Sequence, residues 1–195
     1  MSIGSMTHLD LICGVDEAGR GPWAGPVTAG AVILAQGHQI IGLTDSKKLS
    51  EKKRLHLEPQ IKHQATHWAV AHATPEEIDR LNIREATFLA MQRAIAALGV
   101  TPSHIIIDGN ALPRDLPAPA TAIIKGDLTE PAISAASILA KNERDRLMVT
   151  MCATHPGYGF SQHKGYGTAA HADALTRLGP CPTHRMSFAP VRRAA

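Results

Sequence analysis

Stretches of apolar residues along the chain alternate with polar ones, run together, or recur every third and fourth position, and each pattern predicts an element. The run Leu11-Ile12-Cys13-Gly14-Val15 reads as a first strand. Val27 to Leu34 reads as a second and Ile40 to Leu43 as a third, with Gly37-His38 turning between them, so the chain opens as a β-meander. Ser50 is placed to cap a basic helix to about Ile61, and Ala65 to Ala73 alternates as a strand with Trp68 and Val70 on one face. Thr74-Pro75-Glu76-Glu77 joins an N-cap, a proline at the first helical position and a capping-box glutamate, so a helix starts there. Ile83, Thr87, Met91, Ala94 and Leu98 share helical spacing and predict a longer helix that Gly99 stops.

Ile105-Ile106-Ile107 is a short continuous apolar run ending in Asp108-Gly109, the mark of a buried central strand. Thr121 to Ile124 repeats that design and leads into Lys125-Gly126-Asp127. A long helix is expected from Pro131 to about Ala153, and another over Thr168 to Leu178, closed by Gly179. Meander, crossover helices and buried strands together predict an α/β domain with a central mixed sheet flanked by helices. One domain over residues 9–191 is expected, with residues 1–8 and 192–195 fraying, since neither end carries a core pattern.

Composition narrows the partners only a little. Hydrophobic residues make up 44% and charged ones 19%, which excludes a disordered or fibrous chain. Twenty Lys and Arg against 17 Asp and Glu permit a nucleic-acid partner without demanding one. There is no run of about 18 apolar residues and the three cysteines lack paired spacing, so the expected setting is cytoplasmic, reducing and away from membranes. Cys181-Pro182-Thr183-His184 has metal-like spacing but no second half, which argues against zinc.

Chemistry concentrates at the predicted strand ends. Asp16 and Glu17 are adjacent carboxylates that repel each other and are costly to desolvate, so they need cations or water beside them. Asp108 and Asp127 end two further predicted strands. Taken singly each sits in an ordinary turn dipeptide, but neighbouring strand ends would bring four carboxylates to one crevice. Oxygen-only ligands select hard ions, Mg²⁺ or Mn²⁺, and the count suits two ions about 3.5–4 Å apart acting on a phosphate ester. Gly19, Arg20 and Gly21 follow at once, with backbone free to approach a ligand and a guanidinium suited to phosphate.

Two other phosphate motifs fail on the same residues. Gly14 to Gly19 frames a P-loop but continues with Arg20-Gly21 where Lys and Ser or Thr are required. Gly19-Arg-Gly21-Pro-Trp-Ala24 matches a dinucleotide fingerprint, with Asp45 at the distance of a ribose contact. That fingerprint must open a helix, whereas Pro22, Pro26 and a β-branched run follow; a nucleotide-cofactor enzyme stays the minor alternative.

Val15-Asp16-Glu17-Ala18-Gly19-Arg20-Gly21-Pro22 with Ala24-Gly25-Pro26-Val27 resembles the signature of bacterial ribonuclease HII. Asp45-Ser46-Lys47-Lys48-Leu49-Ser50, Ile107-Asp108-Gly109-Asn110, Lys125-Gly126-Asp127, Ile133 to Lys141 and His163-Lys164-Gly165-Tyr166 resemble that family's further motifs, in order. The resemblance implies a ribonuclease H-like fold with a C-terminal helical part from about residue 156, and a monomer is expected. It implies an endonuclease that cuts the RNA strand of RNA–DNA hybrids and incises at single ribonucleotides in duplex DNA, leaving 3′-hydroxyl and 5′-phosphate ends.

By this resemblance Asp16, Glu17, Asp108 and Asp127 would be the catalytic metal ligands, and Gly19, Arg20 and Gly21 would grip the ribonucleotide, whose 2′-hydroxyl both donates and accepts. Tyr166 would stack on the sugar at the RNA–DNA junction, and Lys47 and Lys48 would meet backbone phosphate. Ser134, Ser137 and Lys141 fall on one helix face and could point toward the carboxylates and the scissile phosphate. Two departures stand out: Gly167 follows Tyr166 where proline is usual, predicting a looser loop, and Met186 stands where arginine is usual, removing a positive charge. A hybrid-binding module without chemistry is the rival from another class.

Overall fold

A computed structural model describes residues 11–195, so the fraying expected of residues 1–8 lies outside the described residues. Five strands form one sheet: β1 (Ile12–Ala18), β2 (Val27–Leu34), β3 (Ala65–Ala73), β4 (His104–Asp108) and β5 (Ala120–Ile123), in the order β3-β2-β1-β4-β5. The first three pair antiparallel, while β4 joins β1 and β5 joins β4 in parallel. The helices are α1 (Glu51–Gln64), α2 (Pro75–Leu81), α3 (Ile83–Ala96), α4 (Gly126–Thr129), α5 (Pro131–Thr154), α6 (Phe160–His163), α7 (Ala169–Leu178) and α8 (Ala189–Ala194), with a 3-10 turn at Ser46–Lys48. The mixed sheet, its flanking helices and the helical C-terminal part follow the sequence-based expectation.

The pleat divides the sheet between two layers. Cys13, Val15, Ala29, Ala31 and Ile33 on one face meet Ala86, Ala90, Met91, Ala94 and Ile95 of α3. On the other face Val32 packs with Ala135, Ala136 and Leu139 of α5, over which Leu57 and Ile61 of α1 close. Each fully buried Ile or Leu contributes roughly 1.5–3 kcal/mol. Gly14 and Gly30 set the depth of α5: a Cβ on Gly30 would lie 2.4 Å from the Ala136 oxygen, and one on Gly14 2.2 Å from the Ala132 carbonyl carbon. The bare backbone lets α5 lie directly on β1 and β2, which brings its serines to the end of β1.

Local signals hold where capping chemistry sets them. The Thr74 hydroxyl accepts from the Glu77 N–H and the Glu77 carboxylate accepts from the Thr74 N–H, closing the capping box that starts α2. Ile40 to Leu43 is not a strand. Ile40 is buried in the α1 side of the core, but Ile41 is 89% exposed and Gly42 turns the backbone at φ 94°, so one anchoring side chain had imitated an alternation. The end of the chain is more ordered than its sequence pattern indicates, because α8 runs to Ala194 and its Val191 is fully buried.

Candidate active site

The ends of β1 and β4 lie side by side, because the parallel register pairs Val15 with Ile107 and carries Asp16 and Asp108 just past it. Alternation along β1 sends Asp16 to the α5 face and Glu17 to the α3 face. Asp127 does not end a strand as expected. After β5 the chain passes through Lys125 in the left-handed region, φ 59°, and Asp127 stands in the first turn of α4, its N–H donating to Asp108 Oδ1 at 3.4 Å. One oxygen each from Asp16, Asp108 and Asp127 lie within 4.8 Å of one another. Glu17 borders this trio: it pairs with Arg20 at 3.5 Å and, with Asp108, Arg84 and Asn110, lines a cleft of about 390 Å³.

The electrostatics are those of carboxylates crowded together at a buried strand end. Burial raises Asp16 well above the ordinary carboxylate range, and the charges of Glu17 and Asp108 add to it. Glu17 is raised by burial, which Arg20 opposes and Asp108 reinforces. Burial followed by the charges of Asp108 and Asp45 raises Asp127. Lys47 shows the complement: burial would lower it, but Asp16, Asp45, Asp127 and Glu17 outweigh that and hold it raised. An oxygen-only trio without histidine or cysteine, carrying more negative charge than its neighbours cancel, fits a hard divalent cation.

The remaining expected residues separate. Ser137 donates to Ser46 at 2.9 Å and stands beside Asp16, while Ser134 donates to the Asp127 carbonyl at 2.7 Å and braces that turn. Arg20 and Gly21 are exposed on the loop after β1. Tyr166 is 43% exposed, and its ring lies 3.9 Å from where a Cβ on Gly21 would be, so Tyr166 and the Arg20-Gly21 loop adjoin. Lys141 is directed elsewhere: its ammonium pairs with Asp145 at 2.6 Å, next to the Arg54 guanidinium that shares that carboxylate.

The Tyr166 loop is held in place despite its glycine. The Tyr166 carbonyl accepts from Thr168 N at 2.9 Å and lies 2.9 Å from His171 Nδ1, and a Cβ at Gly167 would fall 2.1 Å from Trp23 Cζ2. Here the indole takes the space any larger residue would need. Met186 is half exposed, and its N–H donates to Asp79.

Sequence reasoning missed three contributors. Asp45 carries no site role in the sequence reading beyond its motif and a ribose contact, yet its carboxylate accepts from Lys47 N at 2.8 Å and its charge acts on Asp127. Arg144 and Arg185 are fully buried under the Gly19–Pro26 loop and donate to its carbonyls. Only their partners, far off in sequence, give them away; Asp45 alone carried a local signal, an N-cap position before a lysine pair.

The loop of Lys47 is itself braced from below. Arg54 donates to the Leu49 carbonyl at 2.9 Å and to Asp145, while Glu58 on the same helix accepts from Arg146, Lys62 and Asn142. Burial alone would raise Glu58, but those hydrogen bonds win and hold it down to about 2, against its ordinary 4.5. A carboxyl depressed on folding stabilises the fold above its unfolded pKa, and this is lost as pH falls through the folded one. Glu58→Gln is therefore expected to cost on the order of 1–2 kcal/mol at pH 7, since Arg146 is partly exposed. In urea melts the difference from wild type should fade between pH 4.5 and about 2; a pH-independent difference would contradict the assignment.

The family model described as Ribonuclease HII matches residues 13–191. A ribonuclease HII of Hyphomonas neptunium is 66% identical, covering 96% of this chain and 97% of that relative. One from Halorhodospira halophila is 58% identical over 93% of each. The crystal structure of the ribonuclease H2 from Pyrococcus horikoshii superposes with a TM-score of 0.79 at 26% identity, covering 94% of this chain and 96% of that one.

Proposed function

The chain belongs to the ribonuclease HII family, and on that footing we propose that it incises duplex DNA 5′ to an embedded ribonucleotide as well as cutting the RNA strand of hybrids. As a ribonuclease H it is a hydrolase acting on RNA–DNA hybrids. The observation that carries the finer reading is the convergence of Asp16, Asp108 and Asp127 within 4.8 Å beside the exposed Arg20-Gly21 loop and Tyr166. In this reading Asp16, Glu17, Asp108 and Asp127 hold two divalent cations, Mg²⁺ or Mn²⁺. When bound, such ions orient the attacking water and stabilise charge on the phosphate and the leaving oxygen.

The protein's own groups do the rest. Lys47, held in the field of the acids, offers its ammonium to the backbone phosphate, and Ser137 keeps the loop of Ser46 against Asp16. Gly19, Arg20 and Gly21 take the ribonucleotide, and Tyr166 offers a flat face to the sugar beside it. Lys141, paired with Asp145, braces the site from the α5 side. No described helix is long and apolar enough to cross a membrane; a monomer acting in the cytoplasm is proposed.

A DNA duplex carrying one ribonucleotide and a 5′ label tests this. With Mg²⁺ or Mn²⁺, one cut on the 5′ side of the ribonucleotide, leaving a 3′-hydroxyl, is expected, and chelator should abolish it. Tight binding without cleavage in either metal would favour the non-catalytic hybrid-binding module instead.

A further inference from the structure

The loop Gly19–Pro26 turns its carbonyls into the protein. Arg185 donates from Nη2 to the Gly19 oxygen at 2.6 Å, from Nη1 to that of Arg20 at 2.8 Å, and from Nε to that of Gly25 at 2.9 Å. It also reaches the Pro26 oxygen at 3.1 Å. Arg144 donates to the oxygens of Ala24 at 3.1 Å and Pro26 at 3.0 Å, and its Nη1 reaches the Lys164 carbonyl at 3.0 Å in the loop that carries Tyr166. The same guanidinium lies 5.9 Å from the Tyr166 ring.

Across a trans peptide the N–H points opposite to the carbonyl before it. With the Gly19 and Arg20 oxygens drawn inward, the N–H groups of Arg20 and Gly21 face outward. Both residues are exposed, and neither N–H has a hydrogen-bond partner among the described residues. Gly19 must be glycine for this to work, since at φ 95° a Cβ there would lie 2.0 Å from Arg144 Nε.

The arrangement is costly. Both guanidiniums are fully buried, and among the described residues neither has a carboxylate within 4.0 Å. Burying a charge without an ion-pair partner is unfavourable, and here only the surrounding carbonyl oxygens offset it. Burial pushes Arg144 down to about 10 and Arg185 to about 9, leaving both charged at neutral pH. What an apolar residue cannot supply is a planar fork of several donors that fixes consecutive carbonyls at once, together with a positive charge beneath a surface that meets phosphates.

We infer that Arg144 and Arg185 are positioning residues for ribonucleotide selectivity: they aim the Arg20 and Gly21 N–H groups at the substrate's 2′-hydroxyl and fix their distance from Tyr166. This rests on the reading of the chain as a nuclease that recognises single ribonucleotides. Lysine keeps the charge but offers one donor point in place of the fork, so charge and geometry can be separated.

The test is equilibrium binding by fluorescence anisotropy of two duplexes differing in one 2′-hydroxyl, with Ca²⁺ replacing Mg²⁺ so that the ribonucleotide duplex stays largely intact. Wild type should prefer the ribonucleotide duplex by about tenfold, the effect of one or two net hydrogen bonds. Arg185→Lys and Arg144→Lys should each cut that preference to about twofold while the all-deoxy affinity holds. A preference kept at the wild-type ratio in variants that merely melt earlier would overturn the inference. No preference in wild type would instead sink the underlying reading of function. Hydrogen exchange on wild type gives an answer even where a variant does not fold: the Arg20 and Gly21 amides should become protected by the ribonucleotide duplex only, and equal protection by both duplexes would count against the proposal.

Discussion

Asp16→Asn is expected to lower the rate of hybrid cleavage by about 10²–10³-fold, the scale on which losing a group that stabilises transition-state charge is felt. The side chain keeps its shape, and its Oδ1 can still accept from the Glu17 N–H, a bond of 2.6 Å in the wild-type structure. What disappears is one negative charge from the trio that faces the proposed cations. Hybrid affinity should stay within about threefold, because the proposed phosphate and sugar contacts lie on the separate loops of Lys47, Arg20 and Tyr166. The same substitution should stabilise the metal-free protein. An acid whose pKa is higher in the folded state destabilises the fold at every pH above its ordinary range, and Asp16 is raised by burial, Glu17 and Asp108. A rise in melting temperature of a few degrees, about what 1 kcal/mol produces, is expected at pH 7 without metal. Equal loss of binding and turnover, or a fall in melting temperature, would contradict this division of labour.

The second large effect comes from a single methyl. Gly30→Ala puts Cβ 2.4 Å from the Ala136 carbonyl oxygen and 3.1 Å from its carbon, and no change of rotamer can move a Cβ. Either β2 or α5 must shift. The cost is expected to be about 3 kcal/mol in urea unfolding, the upper range for overpacking a well-packed core. Because α5 also holds Ser134 against the Asp127 carbonyl and Ser137 beside Asp16, metal affinity should fall along with stability. A variant of wild-type stability would mean that α5 does not lie on the sheet as described.

Much of this was legible from the chain because the decisive signals are local. The continuous burial of β2 on both faces shows as an unbroken run of small and β-branched residues, and the start of α2 is fixed by a cap that four consecutive residues encode. Asp16 and Asp108 announced themselves as polar residues ending apolar runs, and the parallel pairing of β1 and β4 brought them together. Asp127 was found for the wrong local reason, since Lys125 breaks β5 and the carboxylate is delivered by a helical turn. Ile40 to Leu43 failed where one buried isoleucine next to an exposed one imitated a strand. Lys141 lay on the expected helix face but met Asp145 first, four residues on. The buried guanidiniums were invisible, because an arginine in sequence reads as surface and only a loop more than 100 positions away explains them.

Asp16, Asp108 and Asp127 are expected to share a divalent cation. Anomalous scattering from crystals grown with Mn²⁺ addresses this directly. A peak is expected within coordination distance, about 2.0–2.3 Å, of an oxygen from each of the three. Manganese bound elsewhere, or absent from this trio in crystals of protein that cleaves hybrid in the same solution, would contradict it.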